Sequence, residues 1–305
     1  MAQILLKSAS FIFIIILAYT LKRLGLFSST DYKIATKILL NVTMPAAVAT
    51  SFASYKADLS LLLCTLIGFG MNWLVLGLAH LFSRRGDRSS RALWLNSSPG
   101  YNIGTFSMPF AQAFLSPAGV VACCLYDTGS AIMCTGGTYA LSSGMLGEKG
   151  SLSLKEIGKK LLHSTPFMTY STMLILTLAG IPIPQPLVRF ISPAANANAF
   201  LAMFMVGLMF DVNIKKDMVK EILGILALRI GTSVAIALAC FFLLPFDAEI
   251  KLGIAIAMFA PISITSTAYS VKLGADPAEA GCLNSLTIPV SIISIVILLV
   301  IFGVL

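Results

Sequence analysis

Ten runs of apolar residues, bounded by charge, proline or glycine, divide the chain: 4–21, 34–52, 60–82, 92–113, 118–146, 164–181, 187–210, 221–244, 251–271 and 282–304. None alternates apolar with polar residues at every second position, so a transmembrane barrel is not expected. A helix needs roughly 20 apolar residues to cross a hydrocarbon layer about 30 Å thick. Only a helix satisfies its own backbone in lipid, so each run predicts one spanning helix. Ten such spans with short loops account for nearly all 305 residues.

Composition agrees, with 57% of residues hydrophobic, 11% charged and a mean hydropathy of +0.91. A soluble domain carries about a quarter of its residues charged. With the N-terminus outside, the inner loops collect Lys22, Arg23, Lys33, Lys37, Arg84, Arg85, Arg88, Arg91, Lys149, Lys155, Lys159, Lys160, Lys215, Lys216, Lys220 and Lys272. The outer side keeps only Lys7, Lys56, Arg189 and Lys251. This bias follows the positive-inside rule, and adding or dropping one span would break it. Both termini are then extracytoplasmic, in a multi-pass protein of the bacterial inner (plasma) membrane type.

The net charge of +8 is dispersed over these loops, so no nucleic-acid partner is expected. Cys64, Cys123, Cys124, Cys134, Cys240 and Cys282 lie in apolar runs without CxxC or Cys/His spacing, and His80 and His163 lie far apart. They read as small core residues and interface residues, with no disulfide framework, metal site or cofactor implied. Lys22 and Arg23, not a small-residue cleavage site, follow the first apolar run, which reads as a retained helix.

The polar stretch 147–163 separates five spans from five. An odd number per half inserts the second half upside down, the inverted repeat of many secondary transporters. The fourth span, NSSPGYNIGTFSMPF from Asn96 to Phe110, contains Pro99, Gly100, Gly104 and Pro109 around Asn102. The ninth, MFAPISITSTAYS from Met258 to Ser270, contains Pro261 followed by Ser263, Thr265, Ser266 and Thr267. Proline removes a backbone donor and clashes with the preceding turn, so both helices are predicted to be interrupted. The halves are offset by about 160 residues, which carries Asn102 onto Ile262, beside Pro261. Interrupted helices at matching positions point to a transporter's central site. Half-helix N-termini there favour an anion, and Asn102 would add an amide.

Other polar groups lie at depth. Asp127, in the fifth span, reads either as a proton-carrying or ligand-organising group or as a neutral or paired aspartate that only caps broken backbone nearby. Arg229, in the eighth, either snorkels to the inner interface or contacts substrate. Pro45 is expected to kink the second span, and Asn284, Thr287 and Pro289 in the tenth take a structural reading.

These segments resemble the auxin efflux carrier family, including its short bacterial members, related to the plant auxin exporters. The resemblance rests on LLNVTMP, NSSPGYNIGTFSMPF, YDTGSA, GLMFD, FAPISITSTAYSVKLGADP and SLTIPVSIISI, in that order along essentially the whole chain. It implies an all-α membrane protein of ten transmembrane helices as a 5+5 inverted repeat, with the fourth and ninth helices interrupted and crossing. The first repeat would be 1–146, the cytoplasmic linker 147–163 and the second repeat 164–305. A scaffold would come from 1–52 and 164–211, and a transport (crossover) domain from 60–146 and 221–305. Members move organic anions such as auxin or dicarboxylates by elevator-like alternating access.

The family's crossover asparagine matches Asn102, its crossing prolines match the Pro99 region and Pro261, and its scaffold residues match Met44 and Pro45. The substrate set is then Met44, Pro45, Pro99, Asn102, Ile103, Gly104, Pro261, Ile262 and Ser263, with Asp127 and Thr265 as candidates for proton or ion coupling. The chain departs from the plant exporters in its short central loop, and in having Asn72 but no acid on the third span.

The leading expectation is a secondary carrier of a small organic anion, coupled to H+, to Na+ or to the membrane potential alone. No P-loop is present, and no His/Asp/Glu cluster suggests an enzyme. The alternative is a membrane sensor that binds the same anion without moving it, although the short termini and linker offer no signalling output. Besides the lipid bilayer, a homodimer through the scaffold is an expected partner, though no span carries a clear GxxxG face.

Overall fold

The computed structural model describes residues 2–28, 30–55, 59–148, 152–210 and 218–302. Lys56, Lys149, Asp211, Lys215, Lys216 and Asp217 lie outside these, as does the boundary of the expected scaffold at 211. Among the described residues the fold is all-helical. The helices are α1 (Ala2–Arg23), α2 (Tyr32–Ala53), α3 (Leu59–Ser83), α4 (Arg88–Ser97), α5 (a π-turn Ile103–Ser107 running into Met108–Phe114), α6 (Pro117–Met145) and α7 (Leu154–Leu162). They continue as α8 (Thr165–Leu178), α9 (Gln185–Met209), α10 (Val219–Leu243), α11 (Ala248–Met258), α12 (Ile264–Lys272) and α13 (Pro277–Phe302).

Seven of these (α1, α2, α3, α6, α9, α10 and α13) are long and apolar enough to cross a membrane. The other apolar runs behave differently, for local reasons. The fourth and ninth are each split in two, and the sixth forms a helix of 14 residues, about 21 Å at 1.5 Å per residue. The expected polar loop 147–163 contains a helix, α7. Ser153 and Glu156 close a capping box at its start, and Ile157 and Leu161 bury one face. Hydrogen bonds from Ser153 hold the Glu156 carboxyl below its ordinary range.

Among the described residues π-helical turns lie at Leu39–Thr43 within α2, at Ile103–Ser107, where one starts α5, and at Met133–Gly137 within α6. The first two precede Pro45 and Pro109, whose rings cannot fit a regular α-turn and whose missing N–H leaves a carbonyl without its helical donor. The third contains two glycines, Gly136 and Gly137.

Helices approach closely where glycines replace side chains. A Cβ at Gly68 of α3 would run into the Tyr126 carbonyl of α6, and one at Gly129 of α6 into the Thr65 carbonyl of α3. Gly253 of α11 meets the backbone of Gly119 on α6 in the same way, and Gly207 of α9 meets that of Ile15 on α1. Small residues of this kind let dispersion contacts form between backbones in lipid, where no hydrophobic drive joins helices. The largest buried cluster runs through α1, α2, α3, α5, α6, α8, α9, α10, α11 and α13.

A candidate binding site where two broken helices meet

The chain leaves α4 after Ser97 and re-enters helix at Ile103; it leaves α11 after Met258 and re-enters at Ile264. The two gaps run antiparallel and pair at Tyr101 and Ile262. The Asn102 N–H donates to the Pro261 carbonyl at 2.8 Å, and the Ser263 N–H donates to the Gly100 carbonyl at 3.2 Å. A backbone break inside a membrane protein must be satisfied internally, and neighbouring side chains complete this one. Asn72 of α3 accepts from the Gly100 N–H at 3.1 Å. On α13, Thr287 accepts from the Ile262 N–H and Asn284 donates to the Ile262 carbonyl. Ser233 of α10 donates to the Met258 carbonyl at 2.7 Å.

Arg229 of α10 neither snorkels to the interface nor lines the cavity described below. It is 5% exposed, and its guanidinium donates to the carbonyls of Ser97, Ser98 and Gly100 at 3.0, 2.6 and 3.4 Å and of Ala260 at 2.8 Å. The same group lies 4.3 Å from the Tyr101 ring centroid. It therefore binds the C-terminal ends of both broken half-helices together.

On the other side of the crossing lies a cavity of about 630 Å³. The starts of the resumed helices line it: Asn102, Ile103, Gly104 and Thr105 of the first, and Ser263, Ile264 and the exposed Thr265 of the second. Thr105 donates to the Asn102 side-chain oxygen, which leaves the amide nitrogen of Asn102 uncommitted beside the cavity. One wall carries Asp127 of α6, which accepts a hydrogen bond from the Tyr170 hydroxyl of α8 at 3.1 Å. Asp127 thus pairs with a side chain on a neighbouring helix. The mouth carries Lys33 and Lys37 of α2 and Lys160 of α7. Lys160 donates to the Tyr269 hydroxyl at 3.0 Å, and that hydroxyl donates to the Thr135 carbonyl at 2.7 Å.

The cavity gathers Asn102, Ile103, Gly104, Asp127, Ser263 and Thr265 from the expected set. Pro99, Pro261 and Ile262 are buried behind it and shape the backbone. Met44 is fully buried, its methyl facing Gly104, and neither it nor Pro45 lines the cavity. Sequence reasoning did not assign Tyr101, Thr105, Tyr170 or the three mouth lysines to a site. Lys33 and Lys37 carried a usable signal, since a spacing of four residues puts both on one helix face. Cys134 also lines the cavity, whereas Cys64, Cys123, Cys124, Cys240 and Cys282 are buried.

Past the cavity, α5 continues into packing against α1 and α9. The rings of Phe110 and Phe114 lie 5.1 and 6.0 Å from Phe11. Asn198, which accepts from Thr43, donates to Gln112 at 2.7 Å, and Lys7 donates to the Ala113 carbonyl.

No protein-family model matches the chain. Over 245 residues, 78% of this chain and 78% of its relative, it is 27% identical to a protein from Methanothermobacter thermautotrophicus named "Uncharacterized transporter".

Proposed function

We propose that this protein is a secondary transporter of a small organic anion, with its site at the crossing of two interrupted helices. A relative named as a transporter and a multi-pass helical architecture support a transporter in general, and with it a non-enzymatic role. The observation that carries the anion is the make-up of the cavity. Two helix starts, the Asn102 amide and three exposed lysines line it, against one acidic residue, Asp127, among the described residues. Helix N-termini and amide donors favour carboxylates and similar groups.

In this reading the protein is a short, bacterial-type member of the auxin efflux carrier family. Ten spans form a 5+5 inverted repeat: the seven long helices, the α4–α5 pair, α8 and the α11–α12 pair. The scaffold consists of α1, α2, α8 and α9, and the transport domain of α3–α6 with α10–α13. The second slides against the first, elevator-fashion, carrying the solute. Lys33 and Lys37 of α2 and Lys160 of α7 lie on the side that charge bias assigns to the cytoplasm, so this conformer is open inward. Asp127 and Thr265 are the groups through which H+ or Na+ would couple.

Reconstitution into liposomes tests the reading, with labelled mono- and dicarboxylates and indole-3-acetate as solutes. Saturable uptake of one of them, with affinity lost in Asn102→Ala, is expected. Binding without flux under proton, sodium and counter-anion gradients would instead make the protein a sensor of the same anion.

A further inference from the structure

Arg229 has no part in the reading above, yet it is a buried cation inside an apolar protein. Among the described residues it forms no ion pair with a carboxylate. Its compensation comes from backbone. Two half-helices, α4 and α11, end at the crossing, and the carbonyls at those ends are the ones that Arg229 binds. A helix C-terminus carries about half a negative charge, so two of them balance roughly one guanidinium. The two other half-helices, α5 and α12, begin at the crossing, and their first residues line the cavity. Their ends carry about half a positive charge each. Four helix ends therefore meet, and the cation sits on the two negative ones.

We propose that Arg229 is a positioning residue that sets the charge preference of the cavity: it cancels the negative helix ends and leaves the positive ends to govern the field. The proposal rests on reading the cavity as an anion site, and it extends that reading to a residue that does not line the cavity. A neutral residue at this position would leave the four ends to cancel one another. Asp127 would then tip the cavity toward cations.

Cys134 supplies a reporter that does not depend on transport, because it is the cysteine that lines the cavity. Purified protein is reacted with an anionic sulfonate methanethiosulfonate or its cationic trimethylammonium counterpart, and modification of Cys134 is followed by mass spectrometry. Any change in the reactivity of the thiol itself affects both reagents alike, so the ratio of their rates reports the field. The ratio is expected to favour the anionic reagent in the native protein and to fall about tenfold or more in Arg229→Gln, the size expected for removing one charge at about 10 Å. Arg229→Lys, which keeps the charge but not the fork of donors, is expected to retain most of the preference.

An unchanged ratio in folded Arg229→Gln overturns the proposal, as does an equal fall in Arg229→Lys, which would make the residue a backbone staple alone. Should Arg229→Gln not fold, the combined Lys33→Gln, Lys37→Gln, Lys160→Gln variant decides. Its mouth is neutral, so an anionic preference that persists supports Arg229, and one that vanishes overturns it. Absence of flux in liposomes would count against the carrier but would leave this ratio unaffected.

Discussion

The two breaks pair with each other, yet they are built from different chemistry. At the first, Gly100 turns the chain at φ +90°, Asn72 takes its N–H, and a π-turn restarts the helix at Ile103. At the second, no residue from Phe259 to Ser263 has a positive φ, and α12 begins with an N-cap in which Ser263 accepts from the Thr265 N–H. The second break thus uses one of its own side chains on its own amide. The first leaves the Asn102 amide nitrogen uncommitted, because Thr105 occupies only the oxygen. The difference separates recognition from support. In the proposed reading the first break offers its uncommitted amide to the solute, and the second completes the backbone that holds it.

Substitutions can break this division of labour. Gly100→Ala should have the largest effect. A left-handed backbone costs a side-chain-bearing residue about 1–3 kcal/mol, and the new Cβ would also collide with Ser266. A large loss of thermal stability is expected, together with loss of solute binding. Asn102→Ala should come next: if its amide meets an anion, removing a hydrogen bond to a charged group costs about 1.5–3 kcal/mol. Affinity should fall about tenfold or more with the melting temperature nearly unchanged.

Ser263→Ala should do the reverse. Losing an N-cap costs about 1 kcal/mol of stability, so a lowered melting temperature with affinity within about threefold is expected. A larger affinity loss in Ser263→Ala than in Asn102→Ala would invert the assignment. Tyr170→Phe should be the mildest, removing one hydrogen bond to Asp127 worth about 0.5–1.5 kcal/mol. Uptake rates in vesicles should change by a few-fold at most, and abolished uptake would put Asp127 and Tyr170 with the first break as recognition groups.

Much of this was legible in the chain. Pro99, Gly100 and Pro261 announced both interruptions, because proline and glycine act on the backbone wherever they fall. Asn102 and Thr265 lie near those breaks in sequence, and they reached the cavity with them. Arg229 was not legible, since its partners are carbonyls that lie 129 to 132 residues away in the first break and 31 away in the second. No side-chain pattern marks a carbonyl as a ligand. The mouth lysines were read only as markers of topology, because their convergence depends on α2 and α7 meeting in space. The Ser153–Glu156 spacing of α7 was a readable helix start that the surrounding polarity obscured.

The glycine contacts of α6 also bear on how the molecule can deform. Gly68 and Gly129 lock α6 to α3, and Gly119 with Gly253 lock it to α11, backbone against backbone. Contacts of this kind have no side chain to swivel, so the three helices form a stiff plate. Toward α8 the join is softer, made by the Tyr170 side chain reaching Asp127. The join toward α8 is thus the more loosely packed one, while Asp127 is held in register with α3 and α11 by the helix that carries it. A methyl group added at Gly129 would therefore be felt at the cavity as a wedge, although that residue touches nothing inside it.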